Sequence, residues 1–285
     1  MKIIETKNPN AVQIGKFPMT NNDDDLKVPE PLPRGAFLTL FVGTPGSGKS
    51  NLLYSLISTK KGPYYKKFDY VVIFSASFHT VDKKMGLPAN QMVPQFDVFK
   101  LMEHLDIVNE QNLRALFVFD DVIASIKKGM TEFQRLIWNR RHQGKGISVF
   151  LVAQRLNAIP LEIRSAATNL IVFETQNQLE LETLRREHSG LPHQDFKELT
   201  KAIWQKRYDF MFFDLAAPGG GRIFRNLDTE ITVISDKLDK SVDHVPTSKK
   251  RTIGQTTFEE AFQDLKRSGE DKRIANSIAR KKWGL

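Results

Sequence analysis

The chain has 285 residues, with 42 lysines and arginines against 33 aspartates and glutamates, and a formal net charge of +9. Its length suits one large α/β domain with extensions or two small domains, and its charge favours a polyanionic partner such as nucleic acid. The lack of cysteine excludes disulfides and thiolate metal sites. No apolar run reaches the roughly 20 residues that cross a bilayer, so we expect a soluble, intracellular protein without membrane insertion.

Composition divides the chain into four predicted regions. Residues 1–34 are polar, end in a proline-rich stretch and predict an N-terminal arm, and residues 35–235 carry the patterned sequence of one domain. Residues 236–256 are polar and indicate a linker. Residues 257–285 predict a basic helical tail of two short helices.

Five short apolar runs predict buried strands. They are AFLTLFV (36–42), YVVIF (70–74), ALFVF (115–119), SVFLVA (148–153) and LIVF (170–173). Segments with helical spacing alternate with these runs, which implies crossover connections and a mainly parallel sheet. The fold class is therefore α/β, with a doubly wound central sheet flanked by helices.

The residues that directly follow the first run match a phosphate-binding loop, G-x-x-x-x-G-K-[ST]. They are Gly43, Thr44, Pro45, Gly46, Ser47, Gly48, Lys49 and Ser50, with Asn51 opening the next helix. Glycines allow successive N–H groups to face the phosphates of ATP, Lys49 would reach the β- and γ-phosphates, and Ser50 would bind Mg²⁺.

A pair of carboxylates ends the third apolar run, at the sheet edge where ligands of open α/β sheets gather. We expect Asp120 to bind Mg²⁺ and Asp121 to polarise the attacking water. An alternative for Asp121 is that it caps the segment that follows the strand.

Local signals also predict elements later in the chain. Thr131 to Gln134 fits a capping box that opens a helix towards Arg140 and Arg141. Tyr208 to Leu215, a turn at 218–221 and Arg222 to Phe224 predict a β-hairpin added to the sheet.

Several of these motifs together resemble the genome-packaging ATPases of large DNA viruses and virophages, of the FtsK–HerA superfamily of P-loop DNA translocases. The resemblance runs from about Ala36 to about Ile231 and includes the segments 138–142 and 147–154, Ile159-Pro160, and the Phe224-Arg225-Asn226 return. Many superfamily members have Asp-Glu where this chain has Asp120-Asp121.

The resemblance implies roles that the residues alone leave open. It implies a RecA/FtsK-like sheet in which the strand ending at Gln154 lies between the phosphate-loop strand and the carboxylate strand. In such a sheet Gln154 would sense the γ-phosphate. It also implies a homo-oligomeric ring, a pentamer or hexamer, in which Arg140, Arg141 or Arg164 completes a neighbouring subunit's site. From the residues alone, Arg140 and Arg141 serve equally well as cations at a helix C-terminus.

DNA contacts are expected on basic loops, because a motor grips the backbone without reading bases. Lys127 and Lys128 form one candidate loop and residues 60–67 a second, and either is alternatively a solvated loop.

The resulting functional prediction is an Mg²⁺- and ATP-dependent double-stranded DNA translocase that packages a viral genome into a preformed capsid. Its expected partners are DNA, bound without sequence specificity, and a capsid or portal-vertex protein. Its expected location is the host cytoplasm or viral factory, or the virion. The alternatives are a cellular or plasmid DNA pump of the same superfamily, a P-loop small-molecule kinase and a non-hydrolysing ATP-binding scaffold.

Overall fold

A computed structural model of the chain describes residues 26–77, 86–217 and 221–233. The predicted linker, the basic tail, most of the arm and most of the turn at 218–221 lie outside these residues. None of the helices in the described ranges is long and apolar enough to cross a membrane.

Nine strands form one sheet in the described part of the chain. They are β1 (Leu38–Val42), β2 (Tyr70–Ser75), β3 (Met92–Val93), β4 (Ala115–Asp120), β5 (Ile147–Ala153), β6 (Asn169–Phe173), β7 (Phe210–Asp214), β8 (Arg222–Arg225) and β9 (Thr229–Ile231). Their spatial order is β3-β2-β4-β5-β1-β6-β7-β8-β9. The first six strands pair in parallel and the last three antiparallel, so the predicted α/β class and the added hairpin are confirmed.

Seven α-helices lie among the described residues. They are α1 (Lys49–Ser58), α2 (Val98–Glu110), α3 (Ile123–Ile126), α4 (Met130–Asn139), α5 (Leu161–Ser165), α6 (Gln178–Leu184) and α7 (His193–Ile203). A π-helical turn, Arg185–Ser189, continues α6 to Gly190. Short 3₁₀ turns at Lys127–Gly129 and Arg140–His142 lead into and out of α4.

Each face of the sheet has its own apolar layer, because side chains of a strand alternate between faces. Leu38, Leu40 and Val42 of β1 pack with the layer that includes α2, α4 and α7, whereas Phe37 and Phe41 pack with the layer that includes α1. Burial on both faces explains why the central strands read as continuous apolar runs.

The second layer also includes the last part of the predicted N-terminal arm. Leu26, Val28 and Leu32 are buried there, and Tyr64 donates a hydrogen bond of 2.8 Å to the carbonyl oxygen of Pro33. Residues 26–33 therefore pack on the sheet domain, although composition gave no sign of it. The domain boundary at residue 34 remains a prediction.

Candidate functional site

The phosphate loop leaves the carboxyl end of β1 and enters α1 at Lys49. Gly46 has a φ of 78° and Gly48 a φ of 102°. Residues other than glycine rarely adopt this left-handed backbone conformation. A methyl group at Gly43 would come within 2.8 Å of Phe173 Cβ and Ser47 Oγ. Glycine at these positions therefore permits both the turn and the close packing of the loop.

Lys49 lies under this loop and is 5% exposed. Its ammonium donates hydrogen bonds of 2.7 Å to the carbonyl oxygen of Gly43 and 3.0 Å to that of Thr44. Burial lowers the pKa of Lys49, and the nearby charges of Asp121 and Asp120 oppose that shift. The lysine is thus held at the centre of the loop, where phosphate oxygens can replace the carbonyl contacts.

Asp120 ends β4 beside α1 and is 4% exposed. Ser50 Oγ donates to its Oδ1 at 3.4 Å, and the Tyr54 hydroxyl donates to its Oδ2 at 2.9 Å. Burial raises the pKa of Asp120, and the hydrogen bonds from Tyr54 and Ser50 lower it in part. The two predicted magnesium ligands, Ser50 and Asp120, are thus neighbours.

These oxygens fit Mg²⁺, which takes oxygen ligands and usually binds through one or two protein groups together with waters and phosphates. Within the described ranges, no group of three or more acidic, histidine or cysteine side chains could hold a metal ion by itself. A bound Mg²⁺ would supply charge neutralisation at the phosphates, and Ser50 and Asp120 would hold it.

Tyr54 is a site residue that sequence analysis missed. It lies four residues after Ser50 on α1, and residues at this spacing share one face of a helix. That periodicity, counted from Ser50, was the available signal. Burial and the charge of Asp120 raise the pKa of the Tyr54 hydroxyl far above its ordinary value, so the hydroxyl keeps its proton and remains a donor.

Asp121 follows Asp120 with an exposed side chain and a φ of 55°, within the left-handed region. The cap residue of α3 is Val122, and no side chain caps that helix. The alternative interpretation of Asp121 as a helix cap therefore lacks support. Residues in this conformation cluster at functional sites, and Asp121 lies beside Asp120, a predicted magnesium ligand.

Gln154 follows β5, the strand between β1 and β4, as the resemblance implied. Its side chain is exposed at the edge that carries the phosphate loop, and the Gly43 N–H donates to the carbonyl oxygen of Ala153 at 3.3 Å. The structure thus brings Lys49, Ser50, Asp120, Asp121 and Gln154 to one edge of the sheet.

The candidate arginines lie apart from this edge. Arg140 and Arg141 follow α4 and precede β5, which places them at the amino ends of the parallel strands. Arg140 is 7% exposed and donates hydrogen bonds of 2.6 Å to the carbonyl oxygen of Ile137 and 3.4 Å to that of Ala166. This arrangement matches the alternative in which a cation binds the last carbonyls of a helix.

Arg164 is also engaged within its own chain. Its Nη2 and Nε bind Glu187 at 2.7 and 3.0 Å, and its Nη1 donates to the carbonyl oxygen of Ile159 at 2.7 Å. Arg141 is exposed in a cleft of about 330 Å³ that Thr168, Asn169 and Arg222 also line. Of the three candidates, Arg141 has the most accessible guanidinium.

The two candidate DNA loops differ in structure. Lys127 and Lys128 are exposed in the 3₁₀ turn that follows α3, the short helix after Asp120 and Asp121. In the segment 60–67, Tyr64 is buried in the core, and Lys66 lies 5.5 Å from the ring centre of Tyr65.

Comparison with known proteins shows similarity in structure alone, since no family model and no curated protein matches the chain. The genome packaging NTPase B204 from Sulfolobus turreted icosahedral virus 2, in complex with sulfate, is similar with a TM-score of 0.52 and 19% identity, over 70% of this chain and 98% of that one.

Two further solved structures are similar at lower scores. The same packaging NTPase in complex with AMPPCP gives a TM-score of 0.48 with 18% identity, over 70% of this chain and 98% of that one. The conjugation coupling protein TcpA of pCW3, as a monomer with ATPγS, gives 0.45 with 14% identity, over 67% of this chain and 60% of that one. The similarity to the sulfate complex of the packaging NTPase confirms the predicted P-loop NTPase fold.

Proposed function

We propose that this protein is an ATPase that drives double-stranded DNA into a viral capsid as a homo-oligomeric ring. The observation that carries the proposal is one sheet edge on which Lys49, Ser50, Asp120, Asp121 and Gln154 meet, on the fold of a packaging NTPase. This combination provides a phosphate cradle, a magnesium pair, a carboxylate for water and a polar sensor.

The proposed roles within the site are supported by the positions of the groups. The loop N–H groups and Lys49 bind the phosphates of ATP, while Ser50 and Asp120 hold Mg²⁺. Asp121, exposed beside Asp120, accepts the proton of the attacking water, and Gln154 contacts the γ-phosphate. Arg141 of an adjacent subunit completes the site, because Arg140 and Arg164 already bind groups of their own chain.

DNA binding rests on charge. The formal net charge of +9 favours the phosphate backbone, and the exposed pair Lys127 and Lys128 lies close in sequence to the catalytic carboxylates. A capsid or portal-vertex protein is the partner that a packaging motor requires.

The proposal is tested by ATP turnover with and without long double-stranded DNA, at low and moderate salt. We expect DNA to stimulate turnover and the stimulation to fall as salt rises, because phosphate contacts release counterions. Lys49→Ala should abolish turnover, whereas Lys197→Ala, an exposed lysine on α7, should not.

Two other outcomes decide against the proposal. ATP turnover that does not change with DNA but rises with a nucleoside or another small acceptor would identify a kinase. Tight ATP binding without turnover, with DNA and in the assembled ring, would identify a non-hydrolysing scaffold. A DNA pump of the same superfamily would give the same stimulation, and encapsidation of DNA by purified capsids distinguishes packaging from it.

A further inference from the structure

The loop between α7 and β7 brings an aromatic side chain to the phosphate loop. A methyl group built on Gly48 would lie 3.2 Å from Cδ1 of Tyr208 and 3.5 Å from Cε1 of Phe173. Tyr208 is 55% exposed, so this ring borders the phosphate loop and still presents a large apolar surface to solvent. Sequence analysis assigned Tyr208 only to the predicted hairpin, and the proposed catalytic roles do not use it.

A cation lies over one face of this ring. The guanidinium carbon of Arg207 lies 4.9 Å from the ring centre of Tyr208, and both side chains are exposed. Guanidinium groups and aromatic rings each stack on planar π systems, nucleobases included. The pair therefore places a stacked guanidinium and aromatic ring next to Gly48, the residue before α1.

The backbone of this loop is held in an uncommon conformation. Tyr208 has a φ of 76°, in the left-handed region, which bulky residues rarely adopt. Asp209 accepts hydrogen bonds from the N–H groups of Gln205 at 3.1 Å and Lys206 at 2.8 Å, and Asn226 Nδ2 donates to it at 3.3 Å. Hydrogen bonds to Asp209 from within the loop and from the β8–β9 turn thus hold the loop in place. A left-handed backbone at a bulky residue is typical of ligand sites.

Strand order gives the direction in which a bound nucleotide extends. Asp120 and Gln154 follow β4 and β5, on one side of β1, so a γ-phosphate bound by the proposed residues would face that side. The ribose and base would then leave on the other side of the loop, towards β6 and β7. Tyr208 and Asp209 directly precede β7 at this side, since Phe210 pairs with Phe173 at the carboxyl end of β6.

We propose that Tyr208, with Arg207 stacked on it, forms the surface that binds the base of the nucleotide in the phosphate loop. This inference rests on the nucleotide site of the proposed function and adds the residues that contact the base. Stacking recognises a flat ring without reading its edge, so the site takes nucleoside triphosphates as a class, ATP among them.

The test compares the binding of ATP and of inorganic tripolyphosphate, each with Mg²⁺, to the full chain by isothermal titration calorimetry. Tyr208→Ala should weaken ATP binding roughly 5- to 100-fold, the range for loss of one stacked base. Tripolyphosphate has no base, so its binding should not change. Tyr208→Trp should retain ATP binding, and Phe99→Ala, which removes an aromatic side chain 86% exposed on α2, should bind both ligands normally.

Three results would overturn the inference. Unchanged ATP binding by Tyr208→Ala would place the base elsewhere, and an equal loss of both ligands would mean that the ring only supports the loop. If the wild-type chain binds neither ligand, the nucleotide site of the proposed function fails as well. Should the alanine variant not fold, Tyr208→Gly accepts the φ of 76° and allows the same comparison. Because the test uses no DNA and no turnover, its outcome is independent of whether the protein packages DNA.

Discussion

At the scale of single residues, the environment of Asp120 controls the proposed magnesium site. Burial favours the protonated carboxyl and raises its pKa, whereas the hydrogen bond from the Tyr54 hydroxyl favours the carboxylate. A carboxyl group binds a metal ion only when it is ionised. Tyr54 would therefore support the proposed metal site through Asp120 without contacting the metal itself.

Tyr54→Phe removes this donor and leaves the ring in place. We expect the pKa of Asp120 to rise further, so that Mg²⁺-dependent turnover is lost at a higher pH on the acidic side than in the wild type. Mg²⁺ affinity should fall about 10-fold or more, as is common for losses of a group that orients a metal ligand. The measurement is ATP turnover against pH at limiting Mg²⁺.

A matched control is Tyr70→Phe, which removes a hydroxyl that lies 2.7 Å from His104 Nδ1, away from the phosphate loop. This variant should show the wild-type pH and Mg²⁺ dependence. If Tyr54→Phe and Tyr70→Phe behave alike, Tyr54 does not tune Asp120.

At the scale of elements, different contacts determine the start and the end of α4. The predicted capping box at Thr131 to Gln134 is wrong as a helix start, since the helix begins at Met130 after Gly129 and no side chain caps it. The preceding 3₁₀ turn already provides helical backbone before Thr131. A methyl group at Gly129 would come within 2.9 Å of Phe96, so tertiary packing sets this boundary.

The end of α4 separates two adjacent arginines. Burial, followed by the nearby charge of Arg141, lowers the pKa of Arg140 to about 10, and the group remains a cation at neutral pH. Arg140→Ala should destabilise the fold by about 1–3 kcal/mol, because it leaves buried carbonyl oxygens without a donor. Arg141→Ala, at an exposed position, should change the free energy of unfolding by less than about 0.5 kcal/mol and lower turnover by about 10³-fold.

Denaturant unfolding and subunit mixing check these expectations. Subunits with Arg141→Ala have an intact phosphate loop, and subunits with Lys49→Ala have an intact arginine, so mixed rings should regain part of the turnover. If Arg141 acts within its own subunit, no subunit of the mixture is complete and turnover stays absent.

At the scale of the whole molecule, the segment before β1 contributes to the core. Leu32 is 7% exposed and packs in the same layer as α1. Leu32→Ala should reduce the free energy of unfolding by about 2–5 kcal/mol, the usual cost of truncating a buried leucine. The comparison in urea is with Leu179→Ala, at a position 74% exposed, which should change stability little. Equal effects would mean that the segment does not pack on the domain.

The sequence by itself determined the central strands and the chemistry of the phosphate loop. Strands buried on both faces must be continuously apolar, so runs such as ALFVF identified β1, β2, β4, β5 and β6. The loop could be recognised because phosphate binding needs glycines, a lysine and a hydroxyl at fixed spacing. The hairpin of β7 and β8 followed from two strand-like segments on either side of a glycine-rich turn.

Only the tertiary structure decided which side chains meet across distant segments. Whether Arg140 or Arg141 is accessible depends on the carbonyl oxygens of Ile137 and Ala166, which the pattern of two adjacent arginines does not reveal. The contact of Tyr208 with Gly48 joins residues 160 positions apart, through the pairing of β7 with β6. Local sequence encodes backbone preference and burial, whereas contacts between distant residues depend on strand order, which is settled by the packing of the whole sheet.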